Sequence, residues 1–127
     1  MRLLWIFLGL FGLGAVALGA YGSHGAGFAD DTLAGVFDTA LRYHFAHLPG
    51  LGLAALIGSL APATARRAGL AGLLFLAGIV LFSGSLYLRS LGLAELTAPL
   101  APTGGFLLMA GWGALAWAGI GVLKSPG

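Results

Sequence analysis

The 127-residue chain contains no cysteine, which excludes disulfides and thiolate metal sites and leaves the compartment open. Charge is scarce as well: Lys, Arg, Asp and Glu together make up 8% of the residues, against about 25% in an ordinary soluble domain. With 59% apolar residues and a mean hydropathy of +1.00, the chain has too little polar surface to cover a water-soluble globule of its size. Lipid is the expected solvent. The isoelectric point near 9.5 rests on six basic residues against four acidic ones, which carries orientation information and no nucleic-acid footprint.

In place of charge stand long uncharged runs, from Leu3 to Ser23, Leu48 to Ala65, Ala68 to Leu88 and Leu96 to Leu123. A spanning helix needs ~20 mostly apolar residues to cross a hydrocarbon core roughly 30 Å thick, and each run is long enough. The sequence therefore predicts an all-α fold. A single integral membrane domain over residues 1–127 forms a four-transmembrane-helix bundle, with helices near 3–22, 49–64, 68–88 and 104–123. A β-barrel would require alternating strands, and "LAGLLFLAGIVLF" does not alternate. Arg2, the apolar run after it and "AVALGA" have features of a cleavable signal, which would leave three crossings. The run is long enough to span and rich in glycine, so it reads as a packed helix.

Reversal at each crossing puts Arg2, Arg66, Arg67 and Lys124 on one side, and Arg42 and Arg89 on the other with Asp30, Asp31, Asp38 and Glu95. The positive-inside rule then predicts a plasma (inner) membrane protein with both termini cytoplasmic and the connections 24–47 and 89–103 outside. Residues 32–47 read as an extracytoplasmic amphipathic helix between the first and second crossings. Leu33, Val36, Phe37, Ala40, Leu41, His44 and His47 share one arc, and Asp38 and Arg42 sit opposite as an i,i+4 pair. Asp31 is the expected N-cap, and Pro49 is expected to kink or break the chain before the second crossing.

Helices in lipid associate through close contact, which small residues four apart permit. Three such stripes occur: Ala15, Gly19 and Ser23; Gly50, Ala54 and Gly58; Ala110, Ala114 and Ala118. With the lipid bilayer as the expected surrounding from the composition, these stripes exceed what one short bundle needs, and a homo-oligomer through small-residue helix faces is the expected assembly. Trp5 is placed as an interfacial anchor, with Trp112 and Trp117 deeper in the fourth helix as structural residues. No Asp, Glu, Lys or Arg lies within any expected crossing, which argues against a proton-coupled or cation-exporting transporter.

The polar side chains gather toward one end. Tyr21, Ser23 and His24 close the first helix there. Tyr43, His44 and His47 precede the second crossing, Ser83, Ser85 and Tyr87 finish the third, and Thr103 opens the fourth. His24, His47, Ser83, Ser85, Tyr87 and Tyr43 thus form a candidate ligand-binding or structural cluster. Three readings compete for the histidines. His24, His44 and His47 are candidate metal ligands; two of them could supply axial ligands to haem; or all are satisfied structural groups. No H-E-x-x-H pattern is present. "FSGSLY" lies inside a helix rather than on a hydrolase's strand-to-helix elbow, and "TGG" at 103–105 lacks the lysine and strand of a phosphate loop. Neither an enzyme nor a resident cofactor is expected.

"GAYGSHG" (19–25), "FDTALRYHFAH" (37–47), "GIVLFSGSLYL" (78–88) and "APTGGFLLMAGW" (101–112) together resemble the domain of unknown function 423 family. These are small multi-pass membrane proteins of the YgdD-like and transmembrane protein 256-like kind. The resemblance implies a membrane location, about four helices and no established biochemical activity. His24 and His47 match histidines of the family pattern, whereas His44 stands where glutamine is more usual, a departure that weakens the three-histidine metal site. Ala101 stands where the family's "TPxGG" motif tends to carry threonine. The expectation is a non-enzymatic multi-pass membrane protein with a structural or interaction role and an outward-facing polar cluster. The alternative is a membrane binding protein or conduit for a metal ion or small solute at that cluster.

Overall fold

The computed structural model describes residues 1–93 and 99–124; Glu95 and part of the 89–103 connection lie outside them. Four long helices follow one another: α1 (Arg2–Ser23), α2 (Asp31–Leu60), α3 (Ala65–Ser90) and α4 (Leu100–Lys124), with a 3₁₀ turn at Pro62–Thr64 between α2 and α3.

Local chemistry sets the helix ends. After α1 the chain turns through Gly25 and Gly27 at φ +110° and +64°, a region that a side chain disfavours. Asp30, in extended backbone, accepts the Leu33 N–H at 2.8 Å, so Asp30 rather than the expected Asp31 is the cap of α2. Pro62 forces Ala61 out of the helical region and ends α2. At the end of α3, Gly92 (φ +88°) donates to the Arg89 carbonyl and Leu93 to the Leu88 carbonyl, a Schellman closure.

The break expected at Pro49 is absent: α2 runs for 30 residues with Pro49 inside it. Proline removes one intrahelical hydrogen bond, and packing on neighbouring helices holds the turns on either side. The Pro49 ring is exposed, whereas His47, Gly50 and Leu51 are buried. The segment 32–47 is therefore no separate helix but the first half of α2. Its level is fixed by contacts: Gly22 lies against Phe37 at one end of α1 and Gly58 against Met1 at the other. Residues 37–58 thus accompany α1 along its whole length, antiparallel.

Phe75, fully buried, is the centre of the core. A Cβ on Gly50 of α2 would sit 2.7 Å from its ring, and one on Gly111 of α4 would sit 2.9 Å from it, so two helices close on a single phenyl group. Nearer one end, Gly104 of α4 lies directly on the Phe82 backbone of α3. The buried small residues include Ala15, Gly50, Ala54, Gly58, Ala114 and Ala118 from the expected stripes, whereas Ala110 and Ser23 are exposed. Helices α1, α3 (with its preceding turn) and α4 are long and apolar enough to cross a membrane. Their outward faces are apolar too: Leu13 is 71% exposed, Leu73 63% and Phe106 69%. Helix α2 is long enough, at about 45 Å by helical rise, but Tyr43, His44, His47 and its charged first turns lower its apolarity.

Candidate functional site: a polar seam between the second and third helices

With α2 continuous, its polar side chains fall along one seam facing α3. Ser83 is fully buried and donates its hydroxyl to the Ala40 carbonyl at 2.7 Å, joining α3 to α2. One turn further along each helix, His44 Nδ1 and the Tyr87 hydroxyl are 2.9 Å apart. His47 Nδ1 lies 2.6 Å from the Tyr43 carbonyl; a carbonyl only accepts, so this nitrogen carries the proton. Ser85 and Ser90 return their hydroxyls to carbonyls of their own helix, at Phe82 and Tyr87.

Aromatic rings enclose these groups. Tyr87 lies 5.2 Å from Phe37 between centroids, Tyr43 lies 4.7 Å from Phe82 and stacks on His47 at 5.9 Å. The His44 ring meets Phe11 edge-on at 6.0 Å. His44 Nε2 is enclosed and outside hydrogen-bond geometry with any described residue, although the Phe11 carbonyl faces the ring. Beside it an apolar hollow of about 190 Å³ is lined by Phe11, His44, Ile79, Val80, Gly84 and Tyr87.

Of the expected cluster, Tyr43, His47, Ser83, Ser85 and Tyr87 lie along this seam, and His24 does not. His24 is exposed at the end of α1, where its backbone N–H donates to the Ala20 carbonyl. The metal set of His24, His44 and His47 does not form: among the described residues no group of three or more His, Asp or Glu is placed to hold a metal ion. The reason is angular. His44 turns toward Phe11 of α1 and Tyr87 of α3, whereas His47, three residues on, packs against Phe75 of α3 and Trp112 of α4. Nor do the histidines share a level at the rim. His47 lies beside Phe75, which faces Gly111 midway along α4, so the seam runs from the rim to mid-depth.

Residues 18–105, which hold the whole seam, match a family described as "Protein of unknown function (DUF423)". The chain belongs to the DUF423 family. A UPF0382 membrane protein of Staphylococcus haemolyticus is 37% identical over 113 residues, covering 88% of this chain and 90% of that protein. The UPF0382 membrane protein YwdK of Bacillus subtilis is 36% identical over 104 residues, covering 77% and 80%. A UPF0382 membrane protein of the yeast Schizosaccharomyces pombe is 35% identical over 116 residues, covering 86% and 94%. No solved structure matches the chain. This DUF423 chain is a membrane protein whose described elements are helical, and two of the motifs that carried the resemblance, residues 37–47 and 78–88, build the seam. Sequence reasoning missed the Ala40 carbonyl, a backbone group without any residue-type signature, and Phe11, Phe37 and Phe82, which look like ordinary apolar positions.

Proposed function

We propose that this protein is a non-enzymatic plasma-membrane protein whose four helices all cross the bilayer, both termini cytoplasmic, and that its seam clamps α2 to α3 on the outward half so that the bundle can receive a partner. The observation that carries this reading is the use of the polar groups within the bundle: Ser83, Tyr87, His44 and His47 bond to other groups of α2 and α3 rather than converging on an open site. The fourth crossing is supported by the level of α2, whose residues 37–58 accompany α1 throughout. In that arrangement Arg42 sits about one turn inside the rim, bonded at 2.7 Å to Asp38, and its long stem lets the charged head reach back to the interface. The orientation is supported by Arg2, Arg66, Arg67 and Lys124 sharing one end. A homo-oligomer is supported by Gly12, Gly113 and Gly119, whose open faces meet nothing within 4 Å.

The test exploits the absence of cysteine. Single substitutions Asp31→Cys and Ala63→Cys, at the two ends of α2, are labelled in intact cells with a membrane-impermeant maleimide. Four crossings with cytoplasmic termini require labelling of Asp31→Cys alone before lysis and of both after it; labelling of both in intact cells removes the fourth crossing. A second reading, a binding protein or conduit for a small solute, is favoured by the apolar hollow beside His44. An absorption spectrum and elemental analysis of detergent-purified protein, with mass spectrometry of co-purified small molecules, separate the two, since a stoichiometric bound species replaces the first reading.

A further inference from the structure

At the end of the bundle away from the seam, the first turn of α3 carries Arg66 and Arg67, and the last turns of α4 pass beside them. The Arg67 guanidinium lies over the Trp117 ring, 4.5 Å from its centroid. Gly121, one turn further along α4, makes room for that arrangement: a Cβ there would stand 2.7 Å from Arg67 Nη1 and 2.7 Å from Thr64 Cγ2. Ala63, Arg66, Arg67, Leu70 and Trp117 line an open notch of about 560 Å³. Among the described residues the acidic side chains are Asp30, Asp31 and Asp38, all toward the opposite end, so no described carboxylate neutralises the two guanidinium groups.

We propose that this notch holds one anionic phospholipid, its phosphate on Arg66 and Arg67 and its upper acyl segments on Leu70 and Trp117. Guanidinium forks fit phosphate oxygens, and basic pockets at the membrane surface select anionic headgroups. The order of groups along the bundle favours a lipid over a free phosphate. Ala63 and the arginines stand at the end, and one turn nearer the middle come Leu70, 45% exposed, and Trp117, 51% exposed. Charge above an apolar wall with an indole between them is the polarity profile of a phospholipid at the interface. The inference needs the α3–α4 pair to lie in a membrane and does not depend on the number of crossings or on which side the termini face. A failed labelling experiment on α2 therefore leaves it standing.

The protein, purified in a zwitterionic detergent, is titrated with dioleoyl phosphatidylglycerol or dioleoyl phosphatidylcholine, and bound lipid is counted by native mass spectrometry. Phosphatidylglycerol is expected to bind about tenfold more tightly than phosphatidylcholine, with one molecule bound first. Arg66→Gln/Arg67→Gln should abolish the preference, whereas Arg2→Gln and Arg89→Gln should keep it. Trp117→Phe, which retains both charges, should weaken phosphatidylglycerol less than the double arginine variant does. Thermal unfolding without added lipid confirms that each variant is folded. Equal binding of the two lipids overturns the site; so does an equal loss in Arg2→Gln or Arg89→Gln, which would mark diffuse attraction. Displacement of phosphatidylglycerol by millimolar inorganic phosphate would make it a free-anion site and overturn the lipid.

Discussion

Ser83 shows what a single hydroxyl does inside this bundle. Its donor reaches a carbonyl on another helix, in a site closed to solvent and lipid. Hydrogen bonds between membrane helices are worth about 0.6 kcal/mol on average and at most about 1.7. Ser83→Ala is accordingly expected to lower unfolding stability in detergent by about that amount. Tyr87→Phe should do the same by leaving His44 Nδ1 without its partner. His24→Ala is expected to change nothing measurable, because that residue is exposed beyond the seam. Denaturant titration followed by circular dichroism measures all three; a loss at His24 equal to that at Ser83 would put the seam in the wrong place.

At the scale of the helix, α2 decides the site. An uninterrupted α2 places His47 beside Phe75 instead of at the end of the bundle, and turns His44 and His47 toward different neighbours. Nitroxide labels attached at successive single cysteines over residues 43–55 should report an unbroken 3.6-residue periodicity of mobility. A phase jump at Pro49 would restore the two-helix arrangement. Much of the rest was legible beforehand. Uncharged runs located α1, α3 and α4; the i,i+4 spacing foretold the Asp38–Arg42 pair, observed at 2.7 Å; polar residue types picked out most of the seam. Pro49 does not break the helix, because a local rule about proline yields to packing that only the assembled neighbours supply. The metal triad, one of the three readings of the histidines, does not form among the described residues, because sequence spacing carries no information about which helix each ring will face. Trp5, expected as an interfacial anchor, donates its indole N–H to Ser59 of α2 at 3.1 Å.

For the whole molecule, charge asymmetry between the two ends is the quantity to perturb. Replacing Arg2, Arg66 and Arg67 by Gln leaves Lys124 alone at that end, facing Arg42 and Arg89 at the other. Orientation is then expected to lose its uniformity, with Ala63→Cys becoming partly accessible to impermeant label in intact cells. Unchanged protection would mean that something other than basic residues sets the topology. Stability at this scale is coupled through the core. Gly111→Ala pushes a methyl group toward the Phe75 ring and should destabilise the parent protein, yet do so less in a Phe75→Leu background. Additive losses in that double-mutant cycle would show that the contact does not limit how closely α3 and α4 approach.

The phenyl ring held between Gly50 and Gly111 also constrains descent. Any lineage that shrinks position 75 opens a void which a side chain at 50 or 111 can fill, and any lineage that enlarges either glycine first meets the ring. Drift at these three positions should therefore be concerted across relatives of this chain: two arms of the bundle are tied, through one aromatic group, to a single shared inheritance.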